Sequence, residues 1–209
     1  RKNEYVLFAT GTSRTLHRLP IFEAPNARLA AISIPNKLVS ALLATGRTTI
    51  ESLVHSRGGV ASPIDLCFFP NHNFIATKRP YAMTVHDLSY ELFPEFFTRK
   101  SRLRHHLART LIKHAQVVLC PSTSTKRDLI NLYNIPDDRI CVTPLAGQEL
   151  ITEGRIALPN RYLLTVGTLE PRKNHLSLIE AYEQYRNKTA DEIALVIAGK
   201  TGWKSEPIL

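Results

Sequence analysis

Short apolar runs alternate along the chain with longer stretches whose apolar residues recur at helical spacing. Tyr5 to Ala9, Arg28 to Ile34, Ile64 to Phe69, Tyr81 to Val85, Gln116 to Cys120, Ile140 to Thr143, Tyr162 to Val166 and Ile193 to Ala198 read as strands. Between them, Asn36 opens a pattern carried by Leu38, Leu42 and Leu43. Gly46 interrupts it before Ile50, Leu53 and Val54 resume it, which predicts two short helices or one broken one. Thr98 opens a helix running through His114, with Leu103, Leu107 and Leu111 as its apolar stripe. Pro121 to Thr125 supplies caps for a helix carrying Leu129, Ile130, Leu132 and Tyr133, ended by Asn134, Pro136 and Asp137. Asn174 stands at the N-cap of a further helix with Leu176, Ile179 and Tyr182 on one face, broadened by Leu178, Ala181 and Tyr185.

This alternation predicts an α/β fold with parallel, doubly wound sheets of Rossmann-like type. Tyr162 to Val166 is apolar apart from Thr165, as expected of a strand covered on both faces. Residues 148–160 lack periodicity and contain Gly154, Pro159 and Asn160, so they read as a linker. It separates a first domain, 1–147, from the start of a second, 161–209. Arg1 in place of Met, and a last stretch that stops within what reads as the start of a helix, suggest cut ends.

Composition narrows the class. The chain has 209 residues, 44% of them hydrophobic, enough for a globular core. No apolar stretch reaches the ~20 residues of a membrane-spanning helix, and no basic segment followed by an apolar signal core opens the chain. Cys67, Cys120 and Cys141 stand in strand-like settings without the close spacing of a metal or redox pair, which predicts buried thiols in a reducing compartment and no metal site. The net charge of +9 favours an acidic partner: nucleic acid, an anionic membrane surface or a phosphorylated small molecule. No nucleic-acid motif and no interleaving of aromatic with basic residues is visible, so nucleic acid is not expected.

Candidate chemistry gathers where strands end. Gly167 closes one strand, and Arg172 and Lys173 fall just ahead of a helix N-terminus, whose free N–H groups and positive dipole end attract phosphate. The same pair also suits a solvated loop. His86 and Asp87 follow directly on the strand ending at Val85, beyond the carboxyl end where ligands lie in open α/β sheets. His86 is there either to meet a substrate hydroxyl or sugar ring, or as a satisfied structural histidine. His72 sits in the polar loop Pro70 to Asn73, which either lines a cleft or is a turn held by its Asn side chains. Arg99, Lys100, Arg102 and Arg104 lie on the helix opened by Thr98, which would either rest on anionic lipid head groups or present a solvated basic face.

Several of these pieces together resemble glycosyltransferase family 4, retaining sugar-nucleotide-dependent transferases of the GT-B type with two facing Rossmann-like domains. The carriers are Thr84-Val85-His86-Asp87-Leu88 with Pro94 after it, Pro121-Ser122 through Lys126-Arg127-Asp128-Leu129, and Asp138-Arg139-Ile140 before a Val-x-Pro strand end. The most specific is Val166-Gly167-Thr168-Leu169-Glu170-Pro171-Arg172-Lys173-Asn174, followed later by Val196-Ile197-Ala198-Gly199.

The resemblance implies that Gly167, Thr168 and Asn174 lie against a donor diphosphate, that Arg172 and Lys173 neutralise it, and that His86 lies near the donor sugar across a cleft. It implies a GDP- or UDP-linked hexose donor, mannose foremost, no metal, and a glycan or lipid-linked acceptor in polysaccharide or lipopolysaccharide assembly. It also implies a cytoplasmic protein, peripheral on the inner face of the cytoplasmic membrane. Thr168 departs from the Arg that many members carry after the turn Gly. The family's N-terminal Gly-rich loop and later paired Glu segment are not in the chain, so the segment alone is expected to be inactive. Two other classes remain open: a non-catalytic module binding anionic membrane or glycan, and a sugar-nucleotide epimerase of the same architecture.

Overall fold

A computed structural model describes residues 3–19, 24–57, 60, 62–71, 76–147 and 156–209. The chain divides into two compact units, 1–146 and 147–209. Of the linker expected at 148–160, residues 148–155 lie outside the described residues, as do His72, Gly58 and Gly59.

In the first unit, β1 (Tyr5–Thr10) pairs in parallel with β2 (Ala27–Ile32). Between them lies the single turn α1 (Ser13–Leu16). Two helices follow, α2 (Asn36–Ala44) and α3 (Ile50–Arg57), as the interruption at Gly46 suggests. Gly46 has φ of 65°, a left-handed conformation that a residue without Cβ adopts freely just past a helix end. Pro35, not Asn36, takes the N-cap position of α2; the Asn36 side chain instead accepts a 2.7 Å hydrogen bond from the Thr10 hydroxyl at the end of β1. The buried face of α2 is Val39 and Leu43, packed on Ile32 and Leu53, while Leu38 and Leu42 are exposed.

The main sheet is four parallel strands in chain order: β3 (Cys67–Phe69), β4 (Tyr81–Thr84), β5 (Val117–Cys120) and β6 (Ile140–Val142). The run expected from Ile64 becomes a strand only at Cys67, where pairing with Tyr81 begins. After β4 come the single turn α4 (Ser89–Leu92), a 3-10 turn (Pro94–Phe96) and the long α5 (Arg99–His114). The Thr98 hydroxyl caps α5 by accepting from the Ser101 N–H. Helix α6 (Thr123–Tyr133) joins β5 to β6; Ser122 caps its start, and left-handed Asn134 ends it.

The core lies where these crossovers meet the sheet: Met83, Val85, Val118 and Cys120 pack with Ile112, Leu129 and Tyr133. Each such side chain stabilises by about 1.5–3 kcal/mol. The inward face of α5 is therefore Ala108 and Ile112, not the Leu103–Leu107–Leu111 stripe. Leu103 and Leu107 are 62% and 45% exposed, and only Leu111 packs against the core. The physical reason is size and position. Small Ala108, one turn before Ile112, lets the helix sit close to the sheet, and that turns the two leucines outward. Cys141 is also exposed rather than buried: its neighbours Ile140 and Val142 face the core, and the alternation of a strand puts Cys141 on the other face; Cys67 and Cys120 are buried as expected.

The second unit holds β7 (Tyr162–Val166) in parallel with β8 (Ala194–Ala198), joined through a 3-10 turn (Pro171–Lys173) and α7 (His175–Lys188). Strand β7 is not covered on both faces: Leu163, Leu164 and Val166 are exposed, because its one described sheet partner is β8 and α7 shields only part of the pair. Among the described residues, no helix is long and apolar enough to cross a membrane.

Candidate functional site

The stretch from Gly167 to Asn174 is built as a rigid turn between β7 and α7. Gly167 N–H donates to the Ala198 carbonyl (2.9 Å), Leu169 N–H to that of Lys200 (3.0 Å), and Gly202 N–H to that of Leu169 (3.0 Å). The loop after β7 is thus laced to the loop after β8. The approach is so close that a Cβ on Gly199 would stand 1.8 Å from the Gly167 carbonyl oxygen. Only glycine fits there. Gly202 is held similarly, its Cβ position lying 2.7 Å from the Leu169 oxygen and from the Thr168 methyl.

The 3-10 turn then raises Arg172 and Lys173 ahead of the helix. Lys173 N–H donates to the Glu170 carbonyl and Asn174 N–H to that of Pro171, each at 3.0 Å. Asn174 occupies the N-cap position of α7, but in left-handed backbone (φ 52°), and its side chain makes no capping bond. This corrects the expected Asn cap: in that conformation the backbone closes the turn and the amide does not reach back over the helix. No acidic residue lies in the first turn of α7. Among the described residues, no side chain caps the leading N–H groups, the condition under which a helix N-terminus attracts an anion.

The two cations differ. Arg172 is bound to Glu170 through Nη2 (2.9 Å) and Nε (3.0 Å), both on Oε1, and Glu170 is only 2% exposed. Burying a carboxylate requires such a partner, so Arg172 carries a local structural load. Lys173 makes no ion pair among the described residues, and its methylenes would lie 3.7 to 3.8 Å from a Cβ on Gly167. Among the described residues, no carboxylate competes with an external anion for its ammonium. Sequence reasoning singled out Arg172 and Lys173 as a pair and missed Glu170 as the partner that separates their duties. The signal was a carboxylate two residues before the Arg with Pro171 between.

His86 lies in the first unit, exposed, just past β4. Val85 N–H donates to the Leu119 carbonyl (2.8 Å), extending the sheet to the residue before His86. The His86 Nε2 lies 3.1 Å from the Pro70 carbonyl oxygen at the end of β3. A carbonyl only accepts, so Nε2–H donates in this contact and Nδ1 is not engaged by it. The His86 carbonyl accepts from the Thr125 hydroxyl (3.3 Å) in the first turn of α6. Three segments at the carboxyl edge of the sheet therefore fix the histidine. Asp87 accepts from Ser89 N–H (3.0 Å), which opens α4.

Arg99, Lys100, Arg102 and Arg104 all lie exposed on the first turns of α5. Among the described residues, no group of three or more His, Cys, Asp or Glu side chains converges as metal ligands would.

Residues 4–146 match the family model described as Glycosyltransferase Family 4. The chain belongs to that family. Residues 148–208 match the model described as Glycosyl transferases group 1, so the laced turn and α7 fall within the second match. The chain is also similar to O-antigen chain mannosyltransferase B of Escherichia coli, with 30% identity over 138 residues, 59% of this chain and 35% of that protein. The chain thus spans about a third of the length of that relative. The parallel α/β architecture is that of a GT-B, Rossmann-like glycosyltransferase.

Proposed function

We propose that the protein carrying this chain is a retaining glycosyltransferase that moves a hexose, mannose in the first instance, from a GDP- or UDP-linked donor to a glycan or lipid-linked acceptor. The observation that carries this reading, beyond family membership, is the start of α7. It has no side-chain cap, no carboxylate in its first turn, and Lys173 beside it without an ion pair among the described residues. Breaking the bond between the anomeric carbon and the β-phosphate oxygen leaves the electron pair on a diphosphate. Preorganised N–H groups and an ammonium lower that barrier, because the charge develops in the transition state where they already point. In this reading, Gly167 and Thr168 line the diphosphate and Arg172 shapes the turn through Glu170. His86, its ring held through Nε2 by the Pro70 carbonyl, is the residue of the first unit assigned to the donor sugar. The mannosyl preference is supported by the name of the Escherichia coli relative.

The test is calorimetric titration with GDP and UDP, paired with product analysis after incubation with GDP-mannose. Lys173→Ala is expected to weaken diphosphate binding by roughly tenfold to a hundredfold, the size of one charge-assisted contact. Unchanged affinity in that variant would overturn the clamp, and donor recovered as an epimer rather than as transferred sugar would overturn the reaction class.

A further inference from the structure

Between α4 and the first half of α5, the first unit has a groove that keeps charges of opposite sign apart. Its volume of about 570 Å³ lies within the roughly 300–1,000 Å³ of small-ligand sites. Helix α4 contributes Tyr90 and Glu91, and α5 contributes Arg99, Arg102, Leu103 and His106. Spacings of three and four put Arg99, Arg102 and His106 along one side of α5. The α4 wall is pinned in place. Tyr90 is buried, its ring stacked on His105 with centroids 4.0 Å apart and edge-on to Phe97 at 6.5 Å. Tyr133, a buried side chain of α6, donates to Glu91 Oε1 (2.9 Å) and lies 3.2 Å from the Tyr90 hydroxyl. The Glu91 carboxylate is thus oriented from the core, yet neither arginine closes on it: Arg99 and Arg102 form no ion pair among the described residues. A merely solvated surface needs no buried tyrosine to hold its carboxylate, and a structural ion pair would have closed the groove.

We infer that this groove is a subsite for a sugar acid, a hexuronic acid residue, with Arg99 and Arg102 on its carboxylate and Glu91 accepting from its ring hydroxyls. The ligand class follows from what the groove offers. Two guanidinium groups against the single Glu91 carboxylate leave one positive charge, which matches a monoanion, and the guanidinium fork suits the paired oxygens of a carboxylate. A bare anion would be repelled by Glu91, whereas a polyhydroxylated ring gives that side chain O–H donors. Leu103, 62% exposed, offers an apolar surface to the C–H face of the ring. A wall set before the ligand arrives leaves less to be ordered on binding. Helix α5 is the crossover between parallel β4 and β5, so it runs antiparallel to them and its Arg99 end lies toward their carboxyl edge, the edge that carries His86 and where ligands lie in such sheets. Assigning the bound sugar to the acceptor glycan rests on the glycosyltransferase reading; its binding rests on the first unit alone.

The experiment is a ligand-observed NMR titration of the protein with glucuronate, glucose and inorganic phosphate as probes. Glucuronate is expected to bind about tenfold or more tighter than glucose, the size of one charge-assisted contact. Arg99→Gln with Arg102→Gln should erase that preference. Lys37→Gln with Arg47→Gln, which removes two exposed cations elsewhere in the same unit, should preserve it. Equal affinity for glucose and glucuronate, or an equal loss in the two double variants, would overturn the subsite. Displacement of glucuronate by inorganic phosphate at matched concentration would show a bare anion site and likewise overturn it. A parallel titration with GDP and UDP keeps the two readings apart. Nucleotide binding without glucuronate binding overturns the subsite alone; glucuronate binding without nucleotide binding supports the subsite and counts against the donor reading. Circular dichroism and the unfolding midpoint of each variant verify that it is folded.

Discussion

The sharpest consequence of the second unit concerns Gly199→Ala. The added methyl would lie 1.8 Å from the Gly167 carbonyl oxygen and 2.7 Å from its carbon, against a comfortable separation of about 3.5 Å between non-bonded heavy atoms. Gly199 is not in the left-handed region, so the penalty is contact alone. Both atoms it meets are backbone, and no side chain can rotate away. The loops must part by more than ~1 Å, which strains the flanking bonds from Gly167 N–H to Ala198 and from Leu169 N–H to Lys200. Overpacking costs about 1–3 kcal/mol and each lost hydrogen bond about 0.5–1.5, so the variant should lose roughly 2–6 kcal/mol. Reduced freedom of the unfolded chain offsets at most about 1 kcal/mol of this. The chain has one tryptophan, Trp203, in the second unit, so urea unfolding followed by its fluorescence reports on the affected region. Gly167→Ala is the matched control: the nearest atoms to its methyl are Lys173 methylenes at 3.7 to 3.8 Å, ordinary contact, and it should shift stability by less than about 0.5 kcal/mol. Equal midpoints for wild type and Gly199→Ala would refute the close approach of the two loops.

Three further outcomes are expected. Arg172→Ala strands the buried Glu170 carboxylate and should cost about 1–3 kcal/mol of stability in urea unfolding, while Lys173→Ala, which breaks no internal ion pair among the described residues, should leave stability unchanged within about 0.5 kcal/mol. On α5, Ile112→Ala should cost about 2–5 kcal/mol and Leu103→Ala almost nothing, and the reverse order would restore the leucine stripe as the inner face. Glu51 is buried on α3, which pushes its carboxyl up. The N–H groups of Glu51 and Lys78, with the Thr77 and Thr49 hydroxyls, together outweigh this and hold it below the usual carboxylate range. A depressed carboxylate stabilises the fold fully above its unfolded value of about 4.3 and loses that contribution as pH falls through the folded value. Unfolding free energy should therefore drop on acidification below that value in wild type, and drop less in Glu51→Gln; parallel pH profiles would count against the assignment.

Much of the architecture was legible in the chain because strand and helix periods are local. The alternation of apolar runs with helical spacing marks parallel α/β units, and the strand limits at Tyr162 to Val166 coincide with those in the structure. The interruption at Gly46 and the caps Thr98 and Ser122 were readable for the same reason: a breaker or a capping hydroxyl acts within three residues of its own position. The placement of Gly167, Arg172 and Lys173 between a strand and a helix was readable too.

What the periods could not decide was which apolar residues face inward. Leu103 and Leu107 fit an apolar stripe as well as Ala108 and Ile112 do, and only the closeness of α5 to the sheet selected the smaller pair. Leu38 and Leu42 yielded to Val39 and Leu43 in the same way. Distant partners were equally hidden. The Pro70 carbonyl that holds the His86 ring lies 16 residues away, and Gly199, which must lack a side chain, is required by a backbone oxygen 32 positions earlier. Local pattern, then, determined the elements and put a basic turn before a helix. Tertiary packing divided the labour within that turn, since a buried Glu170 holds Arg172 while Lys173 has no ion pair among the described residues, and burial is a property that only the folded chain has.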